Sequence, residues 1–71
     1  MFDSRKFRAA LIMKGLSVEG LAKELGINAS TLYRKINGIS DFSRNEIQRI
    51  REIANFSSAE LYAIFFAEEL A

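Results

Sequence analysis

The sequence predicts an all-α fold, and three observations predict it. Apolar residues recur three and four apart along most of the chain, as in Phe7, Ala10 and Leu11 or Ile47, Ile50, Ile53 and Ala54. Helix stop and start signals separate these runs, at Gly15, Gly26, Gly38 and Asn55 and at the Ser-x-x-Glu boxes of Ser43 and Ser57. No proline, repeat, low-complexity tract or period-2 run long enough for a strand interrupts the pattern.

Taken in order, a short arm leads to a first helix that starts at Asp3 or Ser4 and ends at Gly15. Arg5, Lys6 and Arg8 crowd its beginning, where positive charge opposes the helix dipole by about a few tenths of a kcal/mol each. That placement suits an anionic partner as well as it suits solvent. Leu16 packs beneath the turn, and Ser17 caps a second helix whose Leu21, Ala22 and Leu25 share one face. Gly26 stops it, because glycine enters the left-handed conformation without steric cost. Asn28 caps a third helix, with Leu32 and Ile36 inward and Asn37-Gly38 at its close. Small Ala22 leaves room for the second and third helices to cross closely. In the linker over residues 39–42, Ile39 and Phe42 read as apolar pins. Ser43-x-x-Glu46 opens a fourth helix that Asn55 ends, and Ser57-x-x-Glu60 opens a fifth over about residues 58–70. Leu61, Ile64 and Phe65 form the inward side of that last helix.

Two short helices joined by a glycine-containing turn, here residues 17–38, are the pattern of a helix-turn-helix. With Ala22, Gly26, Leu32 and Asn37-Gly38 in these relative positions, the stretch resembles the Cro/repressor-type (XRE-like) helix-turn-helix family. STLYRKINGIS followed by DFSRNEI is similar to small Cro-like proteins of phages of Gram-positive bacteria, so the resemblance covers nearly the whole chain. It implies a compact five-helix bundle of the lambda-repressor-like DNA-binding type, in one domain spanning residues 1–71.

Size and composition narrow the functions further. Seventy-one residues leave no room for a separate sensing module, and a core of this size nets only about 3–5 kcal/mol. Without cysteine or histidine, disulfides, structural zinc and thiol or imidazole catalysis are excluded, which leaves dimerisation as a source of further buried surface. The acids sit at helix starts and on a polar face, where capping explains them, and no Gly-rich phosphate loop is present. The expectation is a protein that is not an enzyme and takes no cofactor and no metal. No apolar run approaches eighteen residues and no signal-peptide pattern precedes Phe2, which points to the cytoplasm and away from a membrane. Charge is divided unevenly. All ten Lys and Arg lie within residues 1–51 beside five acids, whereas residues 52–71 hold four acids and no base.

In helix-turn-helix docking the second helix of the motif enters the major groove by its N-terminal part. With Leu32 and Ile36 inward, Asn28, Ala29, Ser30, Tyr33, Arg34 and Asn37 lie on or beside the outer face and are the candidate base contacts. Arg34 can grip a guanine edge with two hydrogen bonds, Asn28 or Ser30 can reach adenine or phosphate, and Ala29 offers a methyl to thymine. Tyr33 can pack on sugar or give its hydroxyl to phosphate. The resemblance implies the same positions. Candidate phosphate contacts are Ser17, Lys23, Ser40 and Arg44, with Arg5, Lys6 and Arg8 behind them. A solvated basic helix is the plain alternative for Arg34 and Lys35, but this outer face carries no acid.

Three departures from the family's pattern stand out. Val18 occupies the position where relatives commonly carry a phosphate-binding glutamine. Leu11 and Ile36 stand where many relatives pair an arginine with an acid, so an apolar contact replaces that ion pair. Lys35 takes a position that is usually apolar. The last helix also has more large apolar residues than one face needs, which leaves Tyr62, Phe66 and Leu70 for self-association or a partner. The leading function is sequence-specific binding of double-stranded DNA by a small transcriptional regulator, a phage or prophage Cro-like repressor that forms a homodimer at least on DNA. The alternative is a protein-binding modulator that keeps the fold and acts on a partner phage repressor.

Overall fold

A computed structural model describes residues 1–67 as five helices joined by short connections. They are α1 (Ser4–Met13), α2 (Val18–Leu25), α3 (Ala29–Ile36), α4 (Arg44–Ala54) and α5 (Ser58–Phe65). Local chemistry explains where each begins. The Asp3 carboxylate accepts from the Lys6 N–H at 3.0 Å and starts α1. Ser17 accepts from the Gly20 N–H at 2.9 Å and starts α2. Ser43 with Glu46, and Ser57 with Glu60, form full reciprocal capping boxes on α4 and α5. At the other end of α2, Gly26 adopts φ 75°, which lets the Ile27 N–H turn back to the Ala22 carbonyl at 3.0 Å.

α2 packs against both α3 and α4, while α1 packs against α5. Leu32 is 0 % exposed and Ile36 1 %, so α3 is seated by these two side chains in a core with Leu21, Ala22 and Leu25 of α2 and Ile50 of α4. Ala22 is buried in the α2 face that meets this core. Leu11 and Ile36 are both buried in that core and carry no charge, which is the apolar replacement expected at those positions. A second part of the core is aromatic. The Phe2 ring lies 5.4 Å from that of Phe7, 5.0 Å from Phe42 and 5.2 Å from Phe65. The backbone N–H of Asp3 meets the Ile64 carbonyl at 2.7 Å, so the N-terminal arm is fastened to α5.

Some expectations need correction. Ile39 does not pin the linker; it is 66 % exposed, and Phe42 alone turns inward to the aromatic cluster. The reason is local: Gly38 takes φ 81° and the Ile39 N–H closes back on the Arg34 carbonyl at 2.9 Å, so the residue directly after the glycine is held at the rim. The last helix is also shorter than residues 58–70, since α5 ends at Phe65 with Phe66 as its C-cap. Its last turn has no basic residue to offset the negative end of the helix dipole. Leu70 lies outside the described residues. Asn28 holds the N-cap position of α3, but its side chain makes no capping bond. Among the described residues no helix is long and apolar enough to cross a membrane.

Both capping-box glutamates also tie distant segments together. Burial alone would raise the Glu46 carboxyl, yet the Ser43 N–H and the Lys35 ammonium outweigh it and hold the carboxyl below its usual value. The Glu60 carboxyl is held low first by the Ser57 N–H, against a burial effect, and then by Lys14. A carboxyl that is lowered in the folded chain binds fewer protons there than when unfolded, so stability rises with pH. Stabilisation from this pair is complete above the ordinary value of 4.5 and is lost as pH falls through the lowered folded values. Urea titrations across that window will show a steep acid loss in the natural protein and a shallower one in the Glu46→Gln, Glu60→Gln double variant. In the core, Ile36→Val will lower the unfolding free energy by about 0.5–1.5 kcal/mol, read as a shift in the urea midpoint.

Candidate nucleic-acid interface

The interface is built on α3, whose inward and outward sides are set by Leu32 and Ile36. With those two buried, Asn28, Ser30, Arg34 and Asn37 are exposed, and Ala29 and Tyr33 are half-buried. Ser30, Arg34 and Asn37 follow at spacings of four and three, so they form one stripe along the helix. The free side chain of Asn28 stands at the leading end of that stripe. Every other described helix has its N-cap side chain engaged in a cap, by Asp3, Ser17, Ser43 or Ser57. The Asn28 amide is therefore not engaged in capping α3.

The cations divide into two sets. Arg8 donates to Asn37 Oδ1 at 2.9 Å, and Lys14 reaches the Asn55 carbonyl and Glu60 while lying 5.0 Å over the Phe56 ring. Lys35 pairs with Glu46 at 3.1 Å and donates to the Asp41 carbonyl at 2.9 Å, which ties α3 to the loop and to the α4 cap. Arg49 donates to the Glu24 carbonyl at 2.7 Å and the Leu25 carbonyl at 3.3 Å, closing the C-terminus of α2. Arg51 bonds Ser58 at 3.0 Å. Arg5, Lys6, Lys23, Arg34 and Arg44 are exposed, and their side chains have no polar partner among the described residues.

Two of the candidate base contacts are engaged within the protein. The Tyr33 hydroxyl donates to Glu19 Oε2 at 2.8 Å, linking α3 to the first turn of α2. That bond lowers the Glu19 carboxyl, helped by its own backbone N–H. The same bond raises the Tyr33 phenol, with burial and the Glu19 charge adding to it and the Arg8 charge opposing. Tyr33 thus stays a protonated donor to Glu19. Asn37 has its carbonyl oxygen held by Arg8, which leaves its amide nitrogen for an acceptor. Nothing in the sequence signals either bond: Glu19 and Tyr33 are fourteen residues apart, and Arg8 and Asn37 twenty-nine. The Arg8–Asn37 bond supplies a polar link between α1 and α3 one turn before Leu11, beside the apolar Leu11–Ile36 position.

Around α3, Ser17, Lys23 and Ser40 are exposed on α2 and the linker. The Ser17 oxygen accepts the Gly20 N–H, and its hydroxyl proton remains available to donate. Arg44 stands at the start of α4 on the rim of a groove of about 420 Å³ shared with Ile47, Gln48, Leu61 and Phe66. Tyr62 and Phe66 are exposed on α5 with ring centroids 6.1 Å apart.

Residues 7–61 match the family model described as helix-turn-helix. The chain belongs to the Cro/C1-type helix-turn-helix family. The matched span runs from Phe7 in α1 to Leu61 in α5, so the family's shared core takes in all five helices. In general terms this helix-turn-helix protein is a DNA-binding regulator of transcription. No curated protein and no solved structure matches the chain at a significant level.

The division of the cations has a direct consequence for stability. Arg49→Ala removes the closing bonds of α2 and Lys35→Ala breaks the tie to Glu46, and each will cost about 1 kcal/mol. In a domain of this size that is about 4–8 °C in Tm, whereas Lys23→Ala and Arg34→Ala will melt close to the natural protein. Circular dichroism melts of the four variants check this.

Proposed function

We propose that the protein binds duplex DNA sequence-specifically with α3 in the major groove and represses transcription in the manner of a small phage or prophage Cro-like regulator. One observation carries the reading. Arg34 stands exposed on the outward stripe of α3 with no polar partner among the described residues, while Arg8, Lys14, Lys35, Arg49 and Arg51 are engaged in internal bonds. In this reading Arg34 grips a guanine edge, Asn28 and Ser30 read neighbouring base edges, and Ala29 meets a thymine methyl. The amide nitrogen of Asn37 offers a further donor. Ser17, Lys23, Ser40 and Arg44 hold phosphates on either side.

The exposed Tyr62–Phe66 pair beside the α4–α5 groove supports self-association through α5. A dimer of that kind presents two copies of α3 to half-sites about 34 Å apart. A partner repressor seated on the same aromatic pair is the second reading, favoured by Val18 in place of a phosphate ligand.

Selection from a random DNA pool will enrich a palindromic site. Electrophoretic shift on that site will weaken as salt rises, and Arg34→Ala will lose about 1–3 kcal/mol with relaxed preference at one base position. Tyr62→Ser with Phe66→Ser will break the dimer in sedimentation while leaving the fold. DNA binding that requires a second protein will instead support the partner reading.

A further inference from the structure

The DNA-binding reading accounts for the cations of the interface but leaves Glu19 without a role. Glu19 stands in the first turn of α2 beside Ser17, at the helix end whose N–H groups and dipole attract phosphate. It is exposed, so core packing does not hold it there. The ion pairs among the described residues are Lys14–Glu60 and Lys35–Glu46, and neither involves Glu19. Arg8 is close enough for its charge to act on Tyr33, yet its guanidinium donates to Asn37. The Glu19 carboxylate is instead held by a neutral donor, the Tyr33 hydroxyl at 2.8 Å. A neutral donor orients the charge without cancelling it. The same bond turns the one hydroxyl that Tyr33 could give to phosphate back into the protein, which leaves its ring for sugar or base.

Val18 offers no polar group here, so this end of α2 sets a fixed negative side chain close to its one hydroxyl donor, Ser17. We infer that Glu19 is a specificity-determining residue that weakens binding to the DNA backbone, so that a duplex is held only where the base contacts of α3 make up the loss. The inference rests on the DNA-binding reading. Like charge across an interface disfavours wrong complexes more than right ones, because the right ones have other contacts to offset it. A purely structural role, joining α2 to α3, needs only the hydrogen bond.

Glutamine separates the two roles, since its amide oxygen accepts from Tyr33 as the carboxylate does and carries no charge. Affinities are measured by fluorescence anisotropy for a pool-selected site and for a random-sequence duplex, over a range of salt. Glu19→Gln will tighten binding to the random duplex by about three- to tenfold, and the selected site by less. Its salt slope will steepen by about one charge per protomer, and its melting temperature will stay near that of the natural protein. Unchanged affinities in Glu19→Gln, or equal tightening on both duplexes, overturn the inference. Where either of those outcomes occurs while the natural protein binds with salt sensitivity and Arg34→Ala weakens it, this inference falls and the DNA-binding reading stands. If the natural protein binds neither duplex at low salt, the DNA-binding reading falls with it.

Discussion

The burial of Leu32 and Ile36 beneath α2 is the constraint on which the rest of the molecule depends. A helix of eight residues has little stability of its own, so α3 keeps its form through the face it packs. Four-residue spacing places both side chains on one stripe, and the same geometry turns Ser30, Arg34 and Asn37 the other way. A rotation of α3 about its axis would bring Arg34 toward an apolar core with no partner for its charge, which is a costly arrangement. Hydrophobic burial on one side therefore fixes the polar surface on the other.

Around that seat the chain stabilises itself with few residues. α2 is closed at its N-terminus by Ser17, at its C-terminus by Gly26 and from outside by Arg49 on α4. Lys35 reaches to Glu46 and the Asp41 carbonyl. The two ends of the described chain share the aromatic cluster, where Phe2 and Phe65 meet Phe7 and Phe42. Half of the basic residues thus serve the fold, and Arg34, Lys23 and Arg44 are among those left exposed. A modest net charge of +1 is compatible with a polyanion partner because it is the placement of unpaired cations that matters.

The candidate site was partly legible in the sequence. Arg34 and Asn28 follow from the wheel of α3 once Leu32 and Ile36 are assigned inward, and both have the exposure that assignment requires. Tyr33 and Asn37 were legible as outward positions but not in their bonds. A helical wheel places a side chain on a face; it does not say which neighbouring helix brings a carboxylate or guanidinium within 3 Å. Ile39 shows the same limit in the loop, where apolar character suggested an inward pin and the turn at Gly38 held the residue at the rim. α5 shows a related limit, since Phe66 continues the apolar pattern and yet stands as the C-cap of the helix.

What the sequence determined by itself is local: caps at Asp3, Ser17, Ser43 and Ser57, stops at Gly26 and Asn55, and the apolar stripe of each helix. These rest on bonds within one turn and on the period of the backbone, so the residue order is sufficient to specify them. Tertiary structure alone decided which charged side chains are engaged within the fold. Glu19 with Tyr33, Arg8 with Asn37 and Arg49 with the α2 carbonyls are pairs far apart in the chain. They exist because packed helices cross at particular angles, and that geometry has no signature in the spacing of residues.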